Sequence, residues 1–312
     1  MAQMKIAIVG AGSIGIGWSV LFACARHHVS IYDPESAQLE SAKNRIGERL
    51  TLLKSHGLLD EDVDRVLDRI TVFDNLASAV SEATLIQECG PERVEIKREI
   101  FREIERSADV DAVIASSSSA IRPSEFTNEM EHPERALVIH PGNPPYLILV
   151  GEIVPTSRTS DAVIARVREI LESSGMSAVL VRNEPQGFVF NRLQGAILRE
   201  AYSLVREGVI SPRELDEIMI KGLGKRWALI GAFGASSLNV KGGIRAHVAR
   251  MGESYYQMGL ERGADDRWTP DLVEKVASDM EKKFPVENWE ADVLERDKAL
   301  MKLTRLMKEL GR

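Results

Sequence analysis

The sequence predicts an α/β protein in which a mostly parallel sheet domain is followed by an all-α domain. Short apolar segments alternate with helical segments as far as residue 181. No strand-like segment follows Pro185. The chain has 312 residues, which is long enough for two domains. We therefore predict one domain over residues 1–184 and a second over residues 185–312.

The elements of the first domain follow one another in a regular order. The apolar run KIAIV, bounded by glycine, is typical of a buried parallel strand. Strands are predicted at 5–9, 29–32, 85–88, 112–116, 136–140 and 177–181, and helices at 13–26, 35–54, 92–106 and 160–174. Strands that alternate with helices favour an α/β domain with a mostly parallel sheet.

The second domain is predicted to be helical throughout. Residues 187–207 carry helical periodicity over several turns. Ser211-Pro212 is typical of a helix start, because proline suits the first helical position. Further helices are predicted at 243–263, 270–283 and 288–309.

Composition excludes some classes of function. The net charge of −7 argues against a nucleic-acid partner, since neutralising phosphates requires a basic face. No apolar run is long enough to cross a bilayer, and the N-terminus does not resemble a leader, so we expect a cytoplasmic protein without a membrane partner. Cys24 and Cys89 lie in apolar segments, which predicts reduced core thiols.

A glycine-rich turn predicts a dinucleotide site of the Rossmann type. Gly10-Ala11-Gly12-Ser13-Ile14-Gly15 follows the first strand and opens the first helix. In such a turn Gly10 allows the tight bend, Gly12 lets the pyrophosphate approach, and Gly15 lets helix and strand pack closely. The amides of Ser13 and Ile14 lie at the positive end of the helix dipole, where a pyrophosphate binds. A phosphate-free tight turn is the alternative.

Asp33 predicts the choice of cofactor. It ends the second strand, where a carboxylate accepts hydrogen bonds from the adenosine ribose hydroxyls. The same carboxylate would repel the 2′-phosphate of NADP, and Pro34, Glu35 and Ser36 offer no arginine to reverse this. The sequence therefore predicts NAD rather than NADP.

Polar residues at later strand ends suggest catalysis. His140 ends the strand ALVIH, and a serine run, residues 116–119, follows AVIAS. Histidine is suited to proton transfer near neutral pH. Glu152 lies among apolar neighbours and needs a partner, for which the ring of His140 is one candidate and a structural arginine another. A satisfied core histidine and an ordinary serine-rich turn remain the alternatives.

Longer segments of the chain resemble a known family. They are IVGAGSIGIGW (8–18), IQECGPERVEIKREIF (86–101), ASSSSAIRPSEF (115–126), HPGNPPYLILVGEIVP (140–155), GFVFNRLQGAILREA (187–201), LGKRWALIG (223–231) and SLN (237–239). With these segments the chain resembles the 3-hydroxyacyl-CoA dehydrogenase superfamily, and within it the branch of L-gulonate 3-dehydrogenase and lambda-crystallin. The resemblance covers nearly the whole chain.

The resemblance implies roles for residues at matching positions. His140 would be the general base and Glu152 its partner, while Ser119 and Asn191 would bind the reacting oxygen of the substrate. It also implies NAD as cofactor and a homodimer formed through the helical domain. No metal is expected, because the sequence shows no cluster of His and Cys ligands.

Three further residues are implied to contact the cofactor, together with the glycine turn and Asp33. They are Glu92, Lys97 and Ser117. From the residues alone, Glu92 and Lys97 would be assigned to a solvated helix face.

The chain departs from the family pattern at three places. Gly142 and Gly151 stand where bulkier apolar residues are expected, and residues 231–236 read GAFGAS instead of a G-P-x-E-T pattern. Nearby, Lys225-Arg226-Trp227 is predicted to lie in a glycine-flanked turn between helices. Arg226 is our candidate for gripping a substrate carboxylate, with an ordinary surface basic pair as the alternative.

Three functions are compatible with this sequence. The first is NAD-dependent oxidation of the 3-hydroxyl of a small, L-gulonate-like hydroxy acid to the 3-keto acid. The second is a 3-hydroxyacyl-CoA dehydrogenase of the 3-hydroxybutyryl-CoA type. The third is a non-enzymatic, NAD-binding structural protein.

Overall fold

The computed structural model describes residues 3–261, 269–282 and 285–311. It forms two compact units. One holds the described residues up to Arg192 together with Asp297–Glu309. The other holds the described residues of Leu193–Arg296 and of Leu310–Arg312.

The first unit is built on one sheet, in which eight strands are found among the described residues, in the order β3-β2-β1-β4-β5-β6-β7-β8. Their bounds are β1 Lys5–Val9, β2 His28–Tyr32, β3 Ile70–Phe73, β4 Leu85–Glu88, β5 Val113–Ser116, β6 Ala136–Pro141, β7 Val150–Pro155 and β8 Ser177–Leu180. Strands β1 to β6 pair in parallel, β7 is antiparallel to β6, and β8 is parallel to β7. The predicted α/β class with a mostly parallel sheet is confirmed.

Two strands escaped the sequence analysis. β3 is a four-residue edge strand in which only Ile70 is fully buried, so its apolar signal is weak. β7 lies in a stretch that is apolar except for Glu152 and lacks the alternation that distinguishes a strand. Only its pairing with β6 identifies it.

Helices of the first unit cover the sheet. They are α1 Ser13–Cys24, α2 Ser36–Ser55, α3 Val63–Leu67, α4 Leu76–Val80, α5 Val94–Ser107, α6 Pro123–Thr127 and α7 Asp161–Ser173. The four longest of these agree with the predicted helices to within two residues at each end. After β3 the chain returns to the other side of β1, so the carboxyl ends of β1 and β4 flank the point where the strand order reverses. In open α/β sheets, ligands bind in the crevice at that point.

The core of this unit forms two layers, because alternate residues of a strand point to opposite faces. From β1, Ile6 and Ile8 enter one layer, while Ala7 and Val9 enter the other. Trp18 of α1 is fully buried in the first layer. Burial of such large side chains contributes about 1.5–3 kcal/mol each and holds the strand ends in register beneath the candidate site.

The second unit is built of helices joined by short turns, and no strand follows β8 in the described residues. Its helices are α8 Phe190–Arg206, whose first residues belong to the first unit, α9 Pro212–Ile218, α10 Gly224–Leu238, α11 Gly243–Glu261, α12 Pro270–Met280, and the start of α13 Trp289–Glu309. The predicted all-α C-terminal domain is confirmed. Residues 262 and 263 of one predicted helix and residue 283 of another lie outside the described residues.

The segment around Arg226 differs from our expectation. Instead of a turn, Lys225-Arg226-Trp227 forms the beginning of α10, which continues directly from a π-helical turn, Met219–Leu223. GAFGAS lies within the same helix, and Gly231 interrupts the helical geometry with a φ of 68°. Glycine supplies that left-handed conformation without steric strain, whereas a residue with a Cβ would not.

A bilayer-spanning helix is not found among the described residues, since none is both long enough and apolar enough.

Candidate active site

The glycine-rich turn is shaped by close backbone contacts. Gly10 has a φ of +111°, and a Cβ there would lie 2.9 Å from the carbonyl oxygen of Cys89. A Cβ at Gly15 would lie 1.9 Å from the carbonyl oxygen of Gly10. At Gly12, by contrast, a Cβ would meet nothing within 4 Å. The turn is therefore closed on its protein side and open at Gly12, where the predicted pyrophosphate would approach.

The start of α1 offers binding groups for a phosphate. Gly12 precedes the helix and has no side chain to cap it, and the first turn carries no acidic residue. The amides and the positive dipole end of the helix therefore face the open side of the turn. Asp33 stands beside them, with Oδ2 accepting from the amide of Ala11 at 2.6 Å and Oδ1 accepting from the amide of Glu35 at 2.9 Å. These residues fit a dinucleotide.

Arg45 also holds this turn, and the sequence analysis missed it. Its Nη1 donates to the carbonyl oxygen of Ala11 at 2.8 Å and to Oε1 of Gln38 at 2.8 Å. The peptide groups of Ala11 are thus fixed by Asp33 on the N–H side and by Arg45 on the C=O side. Arg45 lies twelve residues beyond Asp33, outside the immediate neighbours of the carboxylate, so only the fold brings it to this turn.

His140 and Glu152 form a buried pair. They lie opposite each other in the antiparallel register of β6 and β7. His140 Nδ1 and Glu152 Oε2 are 2.7 Å apart, and the two residues are 5% and 4% exposed. The partner of Glu152 is therefore the histidine, as the first of the two alternatives predicted, and the arginine alternative is wrong.

Glu152 also binds the start of α8. Its Oε1 accepts from the amides of Val189 at 2.8 Å and Phe190 at 2.9 Å. Burial raises the pKa of Glu152, but the hydrogen bonds from His140 and from these two amides outweigh it and hold the pKa below its usual value. Because a carboxylate only accepts hydrogen bonds, Nδ1 of a neutral His140 carries the proton and Nε2 keeps its lone pair. This arrangement leaves Nε2 able to accept a proton, as a general base must.

Aromatic rings enclose the imidazole. The ring centroid of His140 lies 5.6 Å from that of Phe188 and 6.0 Å from that of Phe190. Contacts on two sides fix the orientation of the imidazole ring.

Asn191 and Ser119 are joined by a hydrogen bond. Asn191 is the second residue of α8 and directly follows Phe190, whose amide Glu152 binds. Its Nδ2 donates to the carbonyl oxygen of Ser119 at 2.8 Å. Ser119 is exposed in the loop after β5. The four predicted catalytic residues are thus connected through one chain of hydrogen bonds and neighbouring peptides.

Glu92 accepts several hydrogen bonds from the loop after β5, which contains Ser119. Its Oε1 accepts from the hydroxyl of Ser118 at 2.6 Å and from the amides of Ser119 and Ala120 at 2.9 and 3.0 Å. Burial raises the pKa of Glu92, but these hydrogen bonds and the charge of Lys97 keep it below its usual value. Glu92 therefore remains a carboxylate near neutral pH.

Lys97 is not on a solvated face. It is 1% exposed, and its Nζ binds both carboxylate oxygens of Glu88 and lies 3.6 Å from Oε2 of Glu92. The expectation from residues alone was wrong for Lys97. The charged residues of α5 concealed that its single lysine points to the carboxyl end of β4.

Ser117 takes part in an internal network. Its Oγ accepts from Trp18 Nε1 at 3.0 Å and from Gln87 Nε2 at 2.7 Å, and it lies 3.2 Å from Sγ of Cys89. Two donors occupy both lone pairs, so the hydroxyl proton points to the sulfur. A contact of Ser117 with a cofactor would therefore involve its backbone rather than its hydroxyl group.

The two unexpected glycines have compensating neighbours. A Cβ at Gly142 would lie 2.1 Å from Cγ2 of Ile148, and a Cβ at Gly151 would lie 2.9 Å from Sδ of Met176. The space of the missing side chains is thus filled from within the same unit. Both departures are changes of packing beside His140 and Glu152 and leave that pair intact.

Arg226 belongs to the second unit. It is exposed, and its Nη1 donates to Oδ1 of Asn239 at 2.9 Å. Asn239 follows the end of α10. The guanidinium retains further N–H donors beyond this bond, as the predicted clamp requires.

Comparison with known proteins gives matches over both halves of the chain. The NAD binding domain model of 3-hydroxyacyl-CoA dehydrogenase matches residues 5–184, and the C-terminal domain model of the same enzyme matches residues 187–282. Lambda-crystallin from Oryctolagus cuniculus is 37% identical, covering 99% of this chain and 98% of its own length. L-carnitine dehydrogenase from Staphylococcus epidermidis is 33% identical, covering 89% of this chain and 86% of its own. Among solved structures, a 5-formyl-3-hydroxy-2-methylpyridine 4-carboxylic acid 5-dehydrogenase, an NAD+-dependent dismutase, superimposes with a TM-score of 0.85 at 27% identity, covering 98% of this chain and 99% of that one.

Proposed function

The chain belongs to the 3-hydroxyacyl-CoA dehydrogenase family, and from that premise we propose that it oxidises the 3-hydroxyl of a small hydroxy acid, with His140 as general base. It is a dehydrogenase that acts on secondary alcohols with NAD as cofactor. The observation that carries the proposal is the buried His140–Glu152 pair, with Nδ1 and Oε2 2.7 Å apart.

This pair supports proton transfer in a specific way. The lone pair on Nε2 of His140 takes the proton of the substrate hydroxyl, and the carboxylate of Glu152 stabilises the imidazolium that results. NAD, when it is bound, supplies the acceptor for the hydride, so the alcohol carbon loses two electrons and becomes a carbonyl carbon.

Ser119 and Asn191 are proposed to hold the reacting oxygen. The hydroxyl of Ser119 is exposed and makes no hydrogen bond within the described residues. Asn191 uses one amide hydrogen on Ser119 and keeps a second for the substrate. Donors fixed in advance stabilise the charge that develops on oxygen during the reaction.

The L-carnitine dehydrogenases among the relatives support a small 3-hydroxy acid as substrate class. L-gulonate and L-carnitine both carry a carboxylate and a hydroxyl on the third carbon. We propose L-gulonate as the first substrate to test, with Arg226 as the group that binds its carboxylate. A change of Arg226 to Ala should raise KM for the acid at least tenfold while leaving the Kd of NADH unchanged, because one charged hydrogen bond contributes about 1.5–3 kcal/mol. An unchanged KM would exclude the clamp.

One panel of substrates separates the candidate functions. The purified protein is mixed with NAD and L-gulonate, L-carnitine or 3-hydroxybutyrate, and with NADH and acetoacetyl-CoA, and the NADH absorbance is followed. We expect the highest kcat/KM with a free hydroxy acid. A preference for acetoacetyl-CoA would instead establish the acyl-CoA dehydrogenase of the second hypothesis. A protein that binds NADH but turns over no substrate would favour the structural role.

Parallel assays with NADP test the role of Asp33, and a preference for NADP would overturn it.

A homodimer through the helical unit is also proposed. Several large apolar side chains of that unit are exposed, among them Phe233 at 85%, Leu238 at 76% and Leu193 at 63%. Exposed apolar surface of this extent is typical of a surface that another protein covers, and a second copy of the chain is the occupant we propose. Light scattering coupled to size-exclusion chromatography tests this, and a mass of one chain at micromolar concentration would reject it.

The proposed location is the cytoplasm. Cys24 and Cys89 form no disulfide. Free thiols are typical of proteins in a reducing compartment. Cell fractionation with an antibody against the chain tests this.

A further inference from the structure

Glu88 is a buried carboxylate that the proposed reaction does not use. It is the last residue of β4, at the carboxyl end of the sheet where the predicted cofactor site lies, and it is 0% exposed. Its Oε1 accepts from the amide of Gly90 at 2.6 Å, and its Oε2 accepts from the hydroxyl of Ser116 at 2.5 Å. A charge in such a place is costly unless it is paired and fully hydrogen-bonded.

The charge partner is Lys97. Its Nζ lies 3.0 Å from Oε1 and 2.9 Å from Oε2 of Glu88, so the two charges neutralise each other within the protein. The same ammonium lies 3.6 Å from Oε2 of Glu92. Lys97 is thus placed between a fully buried carboxylate and one that is partly exposed.

Ser116, another hydrogen-bond partner of Glu88, connects the loops after β4 and β5. Ser116 ends β5, and its Oγ accepts from the amide of Ser118 at 3.1 Å while donating to Glu88. Gly90 belongs to the loop after β4. Through Gly90 and Ser116, Glu88 fixes the chain on both neighbouring strand ends.

From Glu92 the network reaches the reacting groups. Glu92 binds the amide of Ser119, and the carbonyl oxygen of Ser119 binds Asn191. Glu88 therefore connects to Ser119 by two routes, one through Lys97 and Glu92 and one through the loop after β5.

We propose that Glu88 is a positioning residue of the dehydrogenase, which holds Ser119 at the place where it binds the substrate oxygen. It touches no reacting atom and acts through Lys97 and the loop of Ser119. This inference rests on the proposed function, because it assigns the effect of Glu88 to the role of Ser119.

A double-mutant cycle tests the inference. The variants are Glu88→Gln, Ser119→Ala and the two together, and kcat is measured with saturating substrate well below the Tm of all four proteins. Glu88→Gln should lower kcat about tenfold, since misplacing a catalytic group by about 1 Å costs up to about 100-fold. Ser119→Ala should lower it about 100-fold. The double variant should resemble Ser119→Ala, because Glu88 has no hydroxyl left to position.

Each outcome bears on a different claim. If the two single effects multiply, to about 1,000-fold in the double variant, Glu88 acts independently of Ser119 and the inference is wrong. If Ser119→Ala leaves kcat unchanged for every substrate, the proposed role of Ser119 fails instead. If Glu88→Gln lowers the Tm but not kcat, the carboxylate only stabilises the fold.

A second variant covers the case in which Glu88→Gln does not fold, since it leaves the ammonium of Lys97 poorly paired. Ser116→Ala removes one hydrogen bond to Glu88 without changing any charge. Its matched control is Ser174→Ala, a buried serine directly after α7 whose hydroxyl donates to the carbonyl oxygen of Ile170 at 2.7 Å. Ser116→Ala should lower kcat at least threefold more than the control at equal Tm, and equal kcat values would reject the inference.

Discussion

Replacing Glu152 by glutamine removes one negative charge from the candidate active site and leaves the side chain nearly unchanged in size. The carboxylate now accepts three hydrogen bonds, from His140 Nδ1 and from the amides of Val189 and Phe190. A glutamine has one oxygen and one NH2 group in their place. The single oxygen can therefore face either Nδ1 of His140 or the two backbone amides, but not both.

The amides decide that competition. Turning the NH2 group toward Val189 and Phe190 would bring it against two N–H donors, at a cost of about 1–3 kcal/mol for each lost acceptor. We expect the oxygen to stay on the amides and the NH2 group to face His140. Nδ1 must then accept, which moves the ring proton to Nε2 and removes the lone pair that serves as base.

The expected loss is large. The corresponding carboxylate-to-amide change in the Ser-His-Asp triad lowers kcat about 10⁴-fold by the same exchange of tautomer. At about 1.36 kcal/mol per factor of ten, a loss of 10³ to 10⁴ for Glu152→Gln equals about 4–5.5 kcal/mol of transition-state stabilisation. The fold should change little, because both backbone hydrogen bonds are kept.

Three measurements test the expected effect of Glu152→Gln. Steady-state kinetics gives kcat, NADH fluorescence gives the Kd of the cofactor, and ¹⁵N chemical shifts of the imidazole give the tautomer. We expect a loss of kcat, a Kd within about twofold of the original, and a proton on Nε2. A variant that keeps kcat within a factor of about three would refute the assignment of His140 as an oriented base.

The chain offers a matched control. His132 and Glu134 form another histidine–glutamate pair, with Nδ1 and Oε1 3.2 Å apart, but both side chains are about half exposed. Glu134→Gln removes the same charge from the same kind of pair at the surface. It should leave kcat unchanged, since a surface pair of this kind contributes little.

Three further predictions concern the cofactor turn, the packing beside the active site and the dependence of stability on pH. Arg45→Gln should raise the Kd of NADH about tenfold without changing kcat, because it releases one side of the Ala11 peptide before the cofactor binds, and an unchanged Kd in a fluorescence titration would contradict this. Gly142→Val should lower the free energy of unfolding by about 1–3 kcal/mol in urea titrations, since its side chain overlaps one that already fills the space. Burial lowers the pKa of His27 from its usual 6.5, so the contribution of neutral His27 to stability is present above pH 6.5 and is lost as the pH falls below 6.5. His27→Gln should therefore flatten the fall in Tm between pH 7 and pH 5. An equally steep fall in Tm would exclude His27 as its cause.

Much of the fold could be predicted because it depends on neighbours along the chain. The strand before Gly10 and the helix after it are local patterns, and so is the carboxylate at the end of β2. β7 could not be predicted in the same way. Apart from Glu152 its residues are apolar or glycine and do not alternate with polar ones, and only pairing with β6 decides that they form a strand and that this strand is antiparallel.

The candidate site divides in the same way. The sequence suggested His140 and Glu152 as a pair, but the spacing of twelve residues left the partner of Glu152 open. The antiparallel register sets the two opposite each other, and burial removes other partners. The prediction for Lys97 was wrong because the many charged residues of α5 predict a solvated face. The carboxylate that draws Lys97 inward is Glu88 of β4, which lies outside the helix.

What the sequence determined by itself is the class of the protein: a glycine turn between strand and helix, a carboxylate at the next strand end, and a histidine before a proline-rich loop. These features rest on backbone geometry and on residue types that only a few positions tolerate. What only the tertiary structure decided is which charges meet. The pairing of Glu88 with Lys97, and of Arg45 with the peptide of Ala11, joins groups from different elements, and such contacts depend on how the elements pack rather than on their order in the chain.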